Sequence, residues 1–298
     1  RLTVARQSAD KVFFPAAALY AGVTVPASVH GMLSGNPILP AFATAVGHAH
    51  ELLFGFAMAV VAGYLINRTT VTRLTTLFGL WSLARVTYLV MPAGVVAVVA
   101  NAAFAATLAW LAAPQFLKGA KKWRNKAFAP LLLGLCTMLV LFHVESVTPV
   151  SWLRYLALQE TVLLFALLML FMGGRIIAPA AAGAILRSGG HLEARVQPRI
   201  EGALQVTMAL AIMATALPAT DTVAGGLALL AAALGLVEAS TATHAITVGA
   251  LGTLTTGVMA RVRLLRAKRN PAQSLTISVM AGNVLALAAA SGLWALAY

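Results

Sequence analysis

The feature that most constrains this chain is its hydropathy pattern, in which apolar runs of about 20 residues recur along the length and short segments between them carry most of the charge. Such a run crosses a bilayer only as a helix, because a backbone in hydrocarbon must satisfy its own hydrogen bonds. The period-two alternation of a transmembrane barrel is missing from the sequence. Of the 298 residues 60% are hydrophobic and 10% charged, and the mean hydropathy is +0.89, well outside the range of soluble domains. We therefore expect an all-α fold, a polytopic transmembrane helix bundle of about 9–10 spans. It should form one transmembrane domain over 1–298, with a first half 1–175, a loop 176–199 and a second half 200–298.

The net charge of +13 does not indicate nucleic-acid binding, since the basic residues lie in clusters between apolar runs rather than on one face of a soluble domain. Membrane orientation accounts for them. Cys136 is the only cysteine and falls inside an apolar run, so neither a disulfide framework nor a c-type haem attachment site is present. The sequence opens on Arg1 rather than methionine, which leads us to expect further residues ahead of it.

Along the chain, spans are expected at about 12–33, 52–66, 74–90, 93–116, 127–144 and 151–171, the last closed by Gly173-Gly174-Arg175. Pro15 and Pro26 should bend the first. Lys118, Lys121, Lys122, Arg124 and Lys126 form the strongest cytoplasmic signal of this half, and with a cytoplasmic N-terminus the loops alternate correctly. His30, His48, His50, His143 and Glu160 then share the outer half of the bilayer. The second half alternates less well: the basic cluster Arg261 to Arg269 falls on the wrong side unless one run between 200 and 237 does not cross. In that case His244 enters from the same face as His48 and His50.

The polar motif Gly47-His48-Ala49-His50-Glu51 opens the second span. On a helix turning about 100° per residue, His48, Glu51, Gly55 and Ala59 fall on one side, and His50, Phe54, Ala57 and Val61 on the other. Gly55, Ala59 and Gly63 make a small-residue ladder that admits a close neighbour. The two histidines diverge, so one metal ion joins both only if the first turn departs from a regular helix. The plain alternative is a pair of solvated histidines at a helix end. Ionisable groups inside spans are costly and usually functional, which favours His48, His50 and Glu51 as metal ligands. Arg85, inside the third span, needs a partner: a carboxylate, a haem propionate, a helix C-terminus or the near interface.

Three stretches together resemble the NnrS family of bacterial membrane proteins: Gly47 to Phe56, Gly173 to Ile177, and Thr243 to Gly252 followed by Met259-Ala260-Arg261-Val262. Trp81 to Arg85 and Leu141-Phe142-His143 are lesser echoes. The chain departs from the family pattern at Ile66-Asn67-Arg68 and Leu264-Leu265-Arg266-Ala267, and it is about one span short, as a short or divergent member would be. The resemblance implies a multi-pass protein of the bacterial cytoplasmic (inner) membrane that carries haem and copper and is linked to nitric oxide metabolism, denitrification and nitrosative stress. It offers His48, His50, Glu51, Arg175, His244 and Arg261 as site residues without assigning each to a metal.

For a haem b, the chemistry suggests His50 or His48 with His244 as axial ligands and His143 next. Arg85 and Arg175 suit propionates, and Glu51 and Glu160 suit orientation of imidazoles or proton transfer. Copper would draw on His48, His50, Glu51 and His244, whereas Met169 and Met172 read as span filler. Expected partners are the lipid bilayer, a small gas ligand such as nitric oxide, and membrane-protein subunits. Two other classes remain open: a membrane transporter or metal carrier, which buried ionisable residues on several spans also mark, and a structural subunit of a respiratory or oxygenase complex.

Overall fold

A computed structural model describes residues 6–66, 68–118, 126–145 and 152–187, with isolated positions beyond. Among these the fold is six helices. They are α1 (Asp10–Ser34), α2 (Ala45–Leu65), α3 (Val71–Val90), α4 (Val95–Lys118), α5 (Phe128–Val144) and α6 (Leu153–Arg187). α1, α2 and α4 are long and apolar enough to cross a membrane, so the protein is an all-α, multi-pass membrane protein. The helices agree with the expected spans to within about a turn, and α2 carries the motif as expected, starting at Ala45 just ahead of it. The difference is α6, which runs through Gly173-Gly174-Arg175, where the apolar pattern suggested an end, to Arg187. Glycine is tolerated inside membrane helices because neighbours restore the packing it forgoes. α1 is likewise continuous through Pro15 and Pro26.

The chain forms two compact units, Arg1–Thr161 and Val162–Tyr298. In the second, the described residues are mainly the remainder of α6. In the first, α2 is the central helix: 67% of its apolar window is buried, against 28% for α1. α4 packs against α3 and α5, and α1 lies along α2. Leu19, Val23, Val95 and Trp110 are exposed, forming the outward apolar surface that a lipid-facing helix presents.

The small-residue ladder faces α1. A Cβ at Gly63 would stand 2.8 Å from the Phe14 ring, and one at Gly55 2.8 Å from Tyr20. Gly47 answers a different neighbour. A Cβ there would collide with the Ala41 carbonyl oxygen, because the 3-10 turn Pro40–Ala43 folds back onto the start of α2. Gly35, in the left-handed region at φ 65°, ends α1 ahead of that turn.

At one end of the bundle Arg6–Gln7 pairs antiparallel with Thr69–Thr70. There the Ala9 N–H donates to Ile66 O (3.1 Å) and the Gln115 side chain to Leu65 O (2.9 Å). The start of α1, the end of α2, the start of α3 and the end of α4 therefore meet there, as successive crossings require. The start of α2, the end of α3 and the end of α5 fall at the opposite end, where the motif lies.

Candidate metal centre

Thr44 caps α2, its hydroxyl accepting from the Gly47 N–H (3.1 Å). The cap leaves the two histidines apart. Directly after His50 the helix widens: Glu51–Ala57 is a π-helix, in place of the regular pitch assumed for this stretch. The Met58 N–H reaches back five residues to Leu53 O. Within the widened segment the Gly55 carbonyl accepts the Trp81 indole N–H at 2.9 Å. The missing Gly55 side chain also makes room for charged groups, since a Cβ there would be 3.1 Å from Glu51 Oε2 and 3.2 Å from Arg85 Nη1.

The two faces carry different chemistry. His48 turns to α1, where its Nδ1 is 2.7 Å from the Ser28 hydroxyl oxygen. Ser28 donates its own proton to Val25 O (3.0 Å), so it accepts from His48. His50 turns to α3 and α5. Its ring stacks on Tyr88 (3.6 Å between centroids, 19° between planes) and packs against Phe54 and Phe142. At 0% exposure it is no solvated helix-end histidine, which disposes of that reading for His50. Its Nδ1 lies 2.7 Å from Glu51 Oε1. A carboxylate oxygen accepts, so Nδ1 carries the proton and Nε2 is left with the lone pair.

That Nε2 faces His143 Nε2 at 3.2 Å. His143 is in the last turn of α5, 1% exposed, and its Nδ1 has no hydrogen-bond partner among the described residues. Two imidazole nitrogens this close need something electropositive between them, either a proton carried by His143 or a metal ion. Glu51 is held in turn. Oε1 also accepts from Arg85 Nη1 (2.8 Å), and Oε2 accepts from the Tyr20 hydroxyl. Arg85, 2% exposed, donates from Nη2 to Asn101 Oδ1 on α4. Of the partners open to Arg85 in the sequence, the structure supplies a carboxylate. One positive and one negative group cancel here, and breaking such a buried pair costs about 3–5 kcal/mol.

Compared with known families, the chain matches the family described as NnrS protein over residues 9–238 and 222–297. The chain belongs to the NnrS family. No curated protein and no solved structure matches it. The two matched stretches of this NnrS protein overlap at 222–238, largely within the 200–237 interval where the sequence suggested that one run does not cross.

NnrS membership brings a haem and copper association, and the described residues fit the two groups differently. Metal–imidazole bonds of about 2.0–2.1 Å place two nitrogens on one ion a little over 3 Å apart when the angle is near tetrahedral. The 3.2 Å between His50 and His143 therefore fits a single small ion, and copper accepts imidazole readily. A haem iron with an imidazole on each face needs them about 4 Å apart. With Tyr88 and Phe142 also packed on His50, a porphyrin does not fit between this pair.

Among the described residues no cluster of three or more His, Cys, Asp or Glu forms a complete metal site. His244 and Arg261 lie outside the described residues, as does the side chain of Arg175. His48 is not joined to His50, His30 is exposed and Glu160 is buried on α6. Tyr20, Tyr88 and Asn101 belong to the centre but were not singled out from the sequence. The available signal was Asn101, an uncharged polar side chain in the middle of an apolar run.

Proposed function

We propose that this protein is a copper-binding, and through other histidines haem-binding, integral membrane protein acting in nitric oxide metabolism or nitrosative stress. His50 and His143 are its copper ligands. The observation that carries the reading is the buried Nε2 to Nε2 approach of 3.2 Å, with Glu51 holding the far nitrogen of His50. Carboxylate-backed histidine is the usual way a protein sets a ligand's tautomer and orientation. Haem would be held by His48 or His244, with Arg175 as a partner for a propionate, since the His50–His143 pair leaves it no space.

Bound copper or haem iron supplies a redox-active centre that takes a small diatomic ligand. This chain's residues exclude water from it: the histidines are 0% and 1% exposed, with Tyr88, Phe54 and Phe142 around them. A small uncharged gas such as nitric oxide partitions into the bilayer and reaches such a site, whereas hydrated ions do not. Family membership supports a location in the bacterial inner membrane, and the charge distribution supports a cytoplasmic N-terminus with the centre in the outer half.

The test is a reduced-minus-oxidised spectrum and metal analysis of detergent-purified protein, repeated with nitric oxide, for wild type and His143→Ala. We expect copper in the wild type, its loss in His143→Ala with any haem band retained, and a nitric-oxide-dependent spectral change whose copper part is lost in His143→Ala while any haem part persists. No metal in the wild type would overturn the reading. A second reading, a metal carrier, draws on the absence of a third ligand among the described residues. It predicts copper that a mild chelator strips from the intact protein.

A further inference from the structure

The centre is anchored by a residue outside the motif. Starting at α4, Asn101 Nδ2 donates to Ala97 O (2.9 Å), which fixes the amide so that Oδ1 faces Arg85 Nη2. Arg85 Nη1 then meets Glu51 Oε1 (2.8 Å), and the same oxygen accepts from His50 Nδ1 (2.7 Å). Each link uses a group whose donor or acceptor role admits no exchange: guanidinium only donates, carboxylate only accepts. Asn101 is 0% exposed on an otherwise apolar helix face. Without its oxygen the Arg85 Nη2 amino group would be a buried donor with no acceptor, free to turn and take Nη1 off Glu51. A bond to its own helix backbone would satisfy an asparagine amide anywhere; the contact to Arg85 would not arise by that route.

We propose that Asn101 is a positioning residue for the metal centre, setting through Arg85 and Glu51 which nitrogen of His50 is presented to His143. The effect on a metal rests on the copper reading given above; the effect on His50 itself does not. The variants are Asn101→Leu, which removes the acceptor, and Asn101→Asp, which keeps one, with Asn101→Ala in place of Asn101→Leu if the latter does not fold.

The first readout is the ¹⁵N resonance of His50 in metal-free, ¹⁵N-histidine-labelled protein, assigned by its disappearance in His50→Gln. We expect a single Nδ1–H form in wild type and Asn101→Asp, and a mixture of the two tautomers in Asn101→Leu. An unchanged His50 signal in Asn101→Leu overturns the inference. The second readout is copper affinity by chelator competition. Asn101→Leu should weaken it about threefold to tenfold, below the roughly 10–100-fold typical of a residue bonded directly to the ligand, with Asn101→Asp near wild type. A tautomer shift in a protein that binds no copper would uphold the positioning role and overturn the copper reading instead.

Discussion

His48 and His50 stand two residues apart on one helix and meet different surroundings. His48 is half-buried against α1 with a serine hydroxyl as partner; His50 is fully buried, stacked on Tyr88, backed by an ion pair and opposed by a second imidazole from α5. What separates them is the 100° turn per residue followed at once by the π-helix, which places Glu51 where both His50 and Arg85 reach it. A pair of histidines in a short motif is thus not necessarily a pair of ligands to one ion. Each is a separate offer to a different neighbouring helix, and the fold decides which offer is met.

The sharpest way to break this contrast is to unpair the charges on the His50 side. Arg85→Leu leaves the Glu51 carboxylate buried with only Tyr20 and His50, and should cost about 3–5 kcal/mol, read as a large loss of thermal stability in detergent. Glu51→Gln keeps the shape but leaves the Arg85 charge unpaired, and should carry a stability cost of the same order, about 3–5 kcal/mol. Copper affinity should fall by about 10–100-fold in chelator competition, with the fold retained by circular dichroism. Gly55→Ala pushes a methyl to within 2.8 Å of Tyr20 and 3.1 Å of Glu51 Oε2. The expected cost is about 1–3 kcal/mol in unfolding assays, whereas Gly22→Ala, with nothing within 4 Å of its Cβ, should be neutral or slightly stabilising. The smallest effect belongs to the His48 side. Ser28→Ala should cost about 1 kcal/mol and leave the copper content unchanged by metal analysis.

The spans of the first half and the two faces of α2 were legible in the sequence because both follow from local periodicity. So was the need of Arg85 for a partner, though the choice of the Glu51 carboxylate over a propionate, a helix C-terminus or the interface came only with the fold. The identity of the partner facing His50 was not. His143 lies 93 residues further on, and the motif pattern directed attention to His244 because nothing local ranks one distant histidine above another. The π-helix was hidden for a related reason: its widened turn is held by tertiary contacts, among them the Trp81 bond to Gly55 O, and the residues Glu51 to Ala57 would form an ordinary α-helix equally well. Tyr20 and Tyr88 look like any aromatic residues in a span. The continuation of α6 beyond Gly173-Gly174 was lost to the same reliance on local breakers.

The central claim is that the second histidine of the motif, and not the first, shares a metal ion with α5. Copper per protein, measured side by side in His48→Ala, His50→Ala and His143→Ala, tests it most directly. The account predicts that His50→Ala and His143→Ala lose the same copper while His48→Ala retains it. Copper lost in His48→Ala and kept in His143→Ala would contradict it.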